Sequence, residues 1–220
     1  INEYASLNEL FTIERMMNDA PFKSAVTKLV KSADPGISEI HLRKRKVPGM
    51  SVSLDPLKGE AQVTNEDREL IAVTFQHDAG RKTWALPFED ESLGTRRFLH
   101  LAGPLIDLQN KEITLCLDEI EASLHPLLVE AIIEMFQKEN PNPSGSQLVF
   151  TTHCESLLDN GTINPDKTIL RRDQIWFVDK NSKLESKLYC LDEFLVRKSE
   201  SIRRGYRLGR YKAIPQLFDI

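Results

Sequence analysis

Two adjacent carboxylates, Asp118 and Glu119, stand directly after the apolar run Ile113–Leu117. Such a run is typical of a buried parallel strand, which brings the residues that follow it to the carboxyl edge of a sheet. Ligands of open α/β sheets bind at this edge. One carboxylate there can hold Mg²⁺, and its neighbour can orient or deprotonate an attacking water. The pair therefore predicts metal-assisted hydrolysis, provided that suitable partners stand elsewhere in the chain.

A histidine follows the next predicted strand, Gln147–Thr151. A single predicted helix, with Pro126 in its first turn and Ser123 as its candidate cap, joins the two strands. A strand–helix–strand unit of this kind is right-handed and has parallel strands. We therefore expect His153 at the same sheet edge as the carboxylates, where an imidazole can hydrogen-bond a terminal phosphate or the attacking water.

A third candidate site lies upstream, in Ser92-Leu-Gly94-Thr95. Ser92 is the predicted N-cap of a long apolar-periodic segment, in which Pro104 predicts a kink or an interruption. A hydroxyl and backbone N–H groups at a helix N-terminus suit an anion such as phosphate. Two roles are open to Ser92, as a helix cap and as a phosphate ligand, and they are compatible.

The N-terminal third is predicted to be mixed. Residues 2–32 have the apolar periodicity of two helices. The polar residues 58–67 are predicted to form an exposed loop. The basic run Arg43–Lys46 is typical of a solvated edge more often than of a nucleic-acid site. Strands are predicted for four segments, of which the last two form a hairpin: 37–42, 47–57, 69–76 and 82–86.

The C-terminal part has two strand-like segments, 174–179 and 187–191, followed by a polar tail that is predicted to be helical from Glu193. The tail carries seven basic residues and one acidic residue between Arg197 and Lys212. Binding of nucleic acid or of a partner and simple solvation of a helix are equally open for this tail.

Composition limits the class of protein. The 220 residues suffice for one large domain or one and a half, and the net charge of −4 argues against nucleic-acid binding by bulk charge. No apolar run approaches the roughly 18 residues of a membrane span. Cys116, Cys154 and Cys190 lie far apart, which predicts reduced thiols and a cytoplasmic location. The spacing of the acidic and histidine residues matches no zinc motif.

Four segments in order resemble the motifs of ABC-type ATPase heads, a group that includes the SMC and DNA-repair clamps. The resemblance is closest to the AAA-like, OLD-like ATPases of bacterial phage-defence and abortive-infection systems, and it covers roughly residues 70–215. Two later segments, 171–178 and 208–215, resemble the C-terminal segments of that group, although Lys212 replaces an expected small residue. The four motifs are Glu91–Arg96 (signature), Leu115–Glu119 (Walker B), Ile120–Pro126 (D-loop) and Phe150–His153 (switch histidine).

This resemblance implies an α/β fold, an ABC-type P-loop ATPase head with a mostly parallel sheet and flanking helices, plus a small β-hairpin and helical arm. It divides the chain into an arm (1–67), an ATPase core (68–192) and a basic tail (193–220). The implied cofactors are ATP and Mg²⁺. The implied roles are a metal ligand (Asp118), catalytic residues (Glu119 as base and His153 as γ-phosphate sensor) and nucleotide-binding residues (Ser92, Gly94, Thr95 and Ser123).

The implied function is ATP binding and hydrolysis by a homodimer that closes around ATP, with Ser92 and Gly94 touching the nucleotide of the second protomer. Dimerisation would gate an effector, a nuclease or a toxin, in anti-phage defence. Nucleic acid is a further candidate partner, and a membrane is not. The alternative is a DNA clamp or scaffold in which nucleotide binding matters more than turnover. A nuclease ranks last, because the Asp-x-Asp pair of metal-dependent nucleases is absent.

The phosphate loop G-x-x-x-x-G-K-[ST] of such heads is absent from the sequence. The nearest segment, Gly80-Arg-Lys-Thr83, has an extra arginine and lies in a predicted hairpin turn instead of between a strand and a helix. We therefore expect the loop to precede Ile1, and we expect these residues alone to bind ATP weakly or not at all.

Overall fold

The computed structural model describes residues 11–55, 60–80, 82–159, 168–181, 183–196 and 200–214, with the side chains of 49–55, 60–66 and 68 left out. The chain divides into two compact units, Ile1–Ile113 and Thr114–Ile220. Within the described ranges, no helix is both long enough and apolar enough to cross a membrane.

The described part of the first unit starts with two helices, α1 (11–18) and α2 (Ala20–Ala33), as the apolar periodicity predicted. Residues 2–10 of that prediction lie outside the described residues. Asp19 caps α2, because its carboxylate accepts the N–H of Phe22 at 2.9 Å. One stripe of α2 is buried and consists of Phe22, Val26 and Val30. This spacing of four residues places the three side chains on a single face of the helix.

The next helix, α3 (Leu93–Asp107), contains Pro104 and continues through it, so the predicted interruption is wrong. Proline lacks the N–H that would bond the carbonyl of His100. The hydroxyl of Thr12 donates to that carbonyl at 2.8 Å instead. A Cβ at Gly103 would stand 2.2 Å from the Thr12 oxygen, so the glycine permits this approach.

Three antiparallel strands form one sheet in the order β1 (Ile37–Asp55), β2 (Glu60–Ala79) and β3 (Lys82–Pro87). The predicted hairpin of β2 and β3 is confirmed, and it places Gly80 in a turn between strands. The predicted break at residues 43–46 and the predicted loop at 60–67 are wrong, because β1 and β2 pair continuously from Glu39 to Asp55. Polar and apolar residues offer the same backbone N–H and C=O groups for pairing, so polar side chains do not by themselves end a ribbon. Residues 56–59 of the predicted loop lie outside the described residues.

The core of the first unit lies between one face of this sheet and the helices. The side chains that it buries come from β1, β2, α1, α2 and α3, and large ones among them are Met16, Phe22, Ile37, Ile40, Phe75, Phe98, Leu99 and Leu105.

The second unit contains β4 (Thr114–Leu117), α4 (Pro126–Gln137) and β5 (Gln147–Phe150). The two strands pair in parallel, with Thr114 opposite Gln147 and Leu117 opposite Phe150. The predicted strand–helix–strand unit is therefore confirmed, and the chain is α/β. The cap of α4 is His125, whose Nδ1 accepts the N–H of Leu127 at 3.3 Å, so the prediction that Ser123 caps this helix is wrong.

The rest of the second unit is an antiparallel hairpin, β6 (Trp176–Lys180) and β7 (Ser186–Cys190), followed by a short helix, α5 (Ile202–Arg207). The hairpin and the tail share a buried aromatic cluster. Within the described residues of the tail, 193–196 and 200–214, α5 is the only α-helix, in contrast to the helix predicted from Glu193 onward. The aromatic rings in contact in this cluster are Phe177, Tyr189, Phe194, Tyr206 and Tyr211.

Candidate functional site

Both acidic residues follow β4 and lie beside Thr151, the residue that follows β5. Thr151 donates its N–H to the carbonyl of Leu117 at 3.0 Å, and its own carbonyl accepts the N–H of Ile120 at 3.1 Å. Its hydroxyl donates to Oδ1 of Asp118 and accepts the N–H of Glu119 at 2.9 Å. One threonine therefore orients the Asp118 carboxylate and the backbone of Glu119.

His153 lies next to Glu119, with 3.8 Å between Nε2 of the imidazole and Oε1 of the carboxylate. Both side chains are exposed, by 87% and 58%, so their mutual attraction is weak and both remain accessible to a ligand. Glu119 also has a positive φ of 48°, which is uncommon for a residue with a side chain and costs of order 1 kcal/mol or more. The structure thus places Asp118, Glu119 and His153 at one edge of the parallel pair.

Glu121 is a member of this loop that the sequence did not single out. Its carboxylate accepts the hydroxyl of Thr152 at 2.6 Å and the N–H of His153 at 2.7 Å. Burial raises the pKa of Glu121, but the hydrogen bonds from Thr152 and His153 lower it by more, so the net pKa is below the usual value. Its place in the D-loop-like segment was the only available signal, because the contact depends on folding.

The segment that carries Glu121 is a well-defined turn. The N–H of Ala122 bonds the carbonyl of Glu119 at 2.9 Å, and the N–H of Leu124 bonds that of Glu121 at 3.0 Å. Ile120 is fully buried beneath the turn, whereas Ser123 is exposed and has a φ of 59°. Ser123 is therefore presented to solvent close in sequence to the carboxylates.

No group of three or more His, Cys, Asp or Glu side chains suited to hold a metal exists among the described residues. Mg²⁺ has different needs, since one or two carboxylates with water and substrate phosphates complete its coordination. The exposed carboxylate of Asp118, oriented by Thr151, fits that requirement.

The upstream candidates belong to the first unit. Ser92 is the N-cap of α3, because its Oγ accepts the N–H of Thr95 at 3.0 Å. The Thr95 side chain is buried, and its hydroxyl donates to Asp34 at 3.2 Å, so it serves the fold. Ser92 is exposed, and the N–H groups of Leu93 and Gly94 lie in the first helical turn, where the helix supplies no internal acceptor. This arrangement suits an anion at Ser92 and Gly94 better than at Thr95.

Comparisons with known proteins bear on this geometry. Comparison with curated proteins gave no match. One solved structure, from work on "Structural biochemistry of ATP-driven dimerization and DNA stimulated activation of SMC ATPases", aligns with a TM-score of 0.40 and 16% identity over 88% of this chain and 94% of that chain. A family model described as "AAA domain, putative AbiEii toxin, Type IV TA system" matches residues 5–159. That match includes Ser92, Asp118, Glu119 and His153, and ends before the tail segments.

Because the match spans well over half of its residues, the chain belongs to this AAA domain family.

Proposed function

We propose that the chain is the catalytic part of an ATPase that binds ATP with Mg²⁺ and hydrolyses it. The observation that supports this most directly is the convergence of Asp118, Glu119 and His153 at one edge of the parallel pair, in a chain of the AAA domain family. The phosphate loop, in this proposal, is supplied by a segment outside these residues.

Each residue has a chemical role in the proposal. Asp118 holds Mg²⁺, which neutralises charge on the phosphates when it is bound. Glu119 orients the attacking water and accepts its proton, and the exposed carboxylate is free to meet a substrate. His153 hydrogen-bonds the terminal phosphate, and its distance of 3.8 Å from Glu119 allows both groups to contact the same reacting centre from one side.

The proposal extends to a dimer. Ser92 and Gly94 bind the terminal phosphate held by a second protomer, with Ser123 near the same interface. Closure of this homodimer gates an effector in anti-phage defence. The family description, which names a putative toxin of a type IV TA system, supports the toxin-type effector of this proposal. Residues 1–67 then act as an arm, 68–192 as the ATPase core and 193–220 as a basic tail.

Replacement of Glu119 by Gln tests the hydrolytic role in the full-length protein. Gln keeps the shape of the side chain but cannot accept a proton, so we expect kcat to fall by about 100-fold or more while the Kd for ATP changes little. The matched control is Glu139→Gln, which alters an exposed glutamate beyond α4 and should leave kcat unchanged. Steady-state hydrolysis that survives in Glu119→Gln would contradict the assignment.

The alternative function is a nucleotide-operated DNA clamp or scaffold. It predicts that the wild-type protein hydrolyses ATP slowly and that ATP binding alone produces the active dimer. Measurement of the dimer fraction in ATP and in a non-hydrolysable analogue distinguishes these two functions. An effector-gating ATPase needs turnover to return to its open state, whereas a clamp does not.

A further inference from the structure

The ribbon of β1 and β2 is two-stranded over most of its length. The strands comprise 19 and 20 residues, but β3 pairs only with Thr74–Ala79 of β2. At this end the ribbon is packed, since Ile40 and Phe75 are completely buried. Beyond Val73 the ribbon has no third strand among the described residues. The charges on its two faces are therefore considered separately.

The register sorts the basic run Arg43–Lys46 onto two different faces. Successive side chains of a strand alternate between faces, so Arg43 and Arg45 share one face, and Lys44 and Lys46 share the other. The lysine face is compensated, because Lys46 stands opposite Glu69 and Lys44 pairs with the same carboxylate at 3.4 Å. This face resembles an ordinary solvated ribbon in which a carboxylate partly compensates the lysines.

The other face, which we call the arginine face, consists of Arg43 and Arg45 on β1 with their β2 partners Ala72 and Leu70. Both partners are uncharged, and Leu70 is 54% exposed. Neither arginine forms an ion pair with a described residue. The same face continues to His41, which is hydrogen-bonded to Gln76 at 3.0 Å, and in the other direction Arg68 pairs with Val47 along the backbone. The described acid on this face, Glu39, lies beside His41, with 3.6 Å between its Oε2 and the imidazole Nε2. The arginine face thus has two exposed guanidinium groups that stand opposite uncharged cross-strand partners.

We propose that the arginine face binds the phosphate backbone of a nucleic acid. Arginine presents a planar fork of N–H donors that matches phosphate in a bidentate manner. Two residues along a strand separate Arg43 from Arg45 by about 7 Å, which is similar to the separation of neighbouring phosphates on one nucleic-acid strand. A two-stranded ribbon also has the width that the major groove of a duplex admits.

The alternative ligand of the arginine face is an acidic protein. The surface favours it less than a nucleic acid. Protein interfaces have an apolar core surrounded by a polar rim. Among the described residues of the arginine face, the large exposed apolar side chain is Leu70, which stands opposite Arg45. A ligand with a repeating charge and little need for apolar contact fits this surface better. This inference concerns the arm and holds whether or not the proposed ATPase site is catalytic.

Fluorescence anisotropy with a labelled DNA duplex, measured on the whole 220-residue chain over a salt series, tests the proposal. Arg43→Gln with Arg45→Gln should weaken binding about tenfold at low salt and reduce the slope of log K against log [salt] by about two, one unit per lost phosphate contact. The matched control is Lys44→Gln with Lys46→Gln, which removes the same charge from the opposite face. It should change the affinity less than about threefold, since Glu69 lies beside both lysines and partly compensates their charge.

Three results would overturn the proposal: no DNA binding by the wild-type chain at low salt, an equal loss in both double variants, or binding of poly-glutamate in preference to DNA. Circular dichroism confirms that the variants are folded. A second pair, Arg43→Lys with Arg45→Lys, retains the charge and thus should retain the salt slope while weakening the affinity, because lysine cannot form the bidentate contact. Retention of full affinity in this pair would contradict the bidentate geometry.

Discussion

Thr151 and Glu121 organise the proposed catalytic groups without being catalytic themselves. The Thr151 hydroxyl joins Asp118 to the backbone of Glu119, and the Glu121 carboxylate holds the N–H of His153 at 2.7 Å. Hydrogen bonds that involve an ionised acceptor are about twice as strong as neutral ones. The exposed Glu119 and His153 therefore depend on neighbours of ordinary chemistry for a defined position.

Glu121→Gln tests this dependence. The neutral amide retains one acceptor oxygen but places an NH₂ group against a donor, so we expect the N–H of His153 to exchange with solvent faster by about tenfold. Hydrogen exchange followed by mass spectrometry or NMR measures this rate. Glu139→Gln should leave it unchanged, and so should Glu121→Gln if the carboxylate has no positioning role.

The same variant has a pH signature. The folded-state pKa of Glu121 lies below the ordinary glutamate value of 4.5, so the stability that it contributes is fully present above pH 4.5 and is lost as the pH falls through the lower folded-state value. Wild-type protein should lose more stability than Glu121→Gln over this acid range. Urea unfolding at a series of pH values compares the two, and parallel curves would rule out the linkage.

Among the structural elements, α5 has a role that its charge alone did not indicate. Arg207 and Arg203 both contact Glu155, and Arg203 also contacts Asp159 at 3.0 Å. These acids belong to the turn that follows His153, so the tail is joined to the candidate site within its own unit. Arg210 pairs with Glu200. The structure favours a role in the fold for these tail arginines, in preference to nucleic-acid binding.

Gly205→Ala tests the packing of this element. A Cβ at Gly205 would lie 2.7 to 2.9 Å from Oη, Cε2 and Cζ of Tyr211, which is fully buried and stacks on Phe177. Alanine gains about 1 kcal/mol of helix propensity, but overpacking costs about 1–3 kcal/mol, so we expect a net loss of roughly 1 kcal/mol and a lower Tm. Arg204→Ala, on the exposed side of α5, should change stability by less than about 0.5 kcal/mol. An unchanged Tm in Gly205→Ala would contradict the close packing.

At the scale of the whole chain, the sequence predicted the parts that local patterns determine. Apolar runs and one intervening helix were enough to predict the parallel pair and the approach of His153 to Asp118 and Glu119. The continuation of α3 through Pro104 was not predictable, because the compensating donor, Thr12, is distant in sequence. The full length of the ribbon was not predicted, because its strands pair through backbone groups. The polar side chains of these strands carry no alternating pattern that would indicate the pairing.

The candidate site was only partly predictable for a similar reason. Residue types and spacing indicated the carboxylates and the histidine, whereas the role of Glu121 depends on how two loops meet. The cap of α4 was assigned to Ser123 from residue preference, but the structure gives this position to His125, which immediately precedes Pro126. Such choices depend on loop geometry that residue propensities do not encode.

The largest assembly in the proposal is the dimer, in which Ser92 acts on the nucleotide of a second protomer. Ser92 and Gly94 stand in the first turn of α3, where N–H groups and the positive helix end attract an anion. In the proposal, Asp118, Glu119 and His153, which lie in the second unit, act on the phosphates of the ATP held by their own protomer. If each ATP lies between one protomer's carboxylates and the partner's serine, a two-fold dimer contains two composite sites.

Mixing of two inactive variants of the full-length protein tests this arrangement. Ser92→Arg should block closure through bulk and charge, and Glu119→Gln should remove the base. In a mixed dimer, one site combines an intact Glu119 from the first chain with an intact Ser92 from the second, so activity should return. Random mixing makes half of the dimers mixed, with one working site of two, and predicts about a quarter of wild-type turnover.

Ser92→Arg also removes the N-cap of α3, whose Oγ accepts the N–H of Thr95, and this loss costs about 1 kcal/mol. Thermal unfolding must therefore show that the variant is folded under the assay conditions. Ser201→Arg is a matched control, because Ser201 caps α5 in the same way and is remote in sequence from the proposed anion site. It should lose similar stability and retain ATP hydrolysis. If mixed dimers form without any recovery, and Ser92→Arg alone hydrolyses ATP normally, then Ser92 is only a helix cap and the cross-protomer role is wrong.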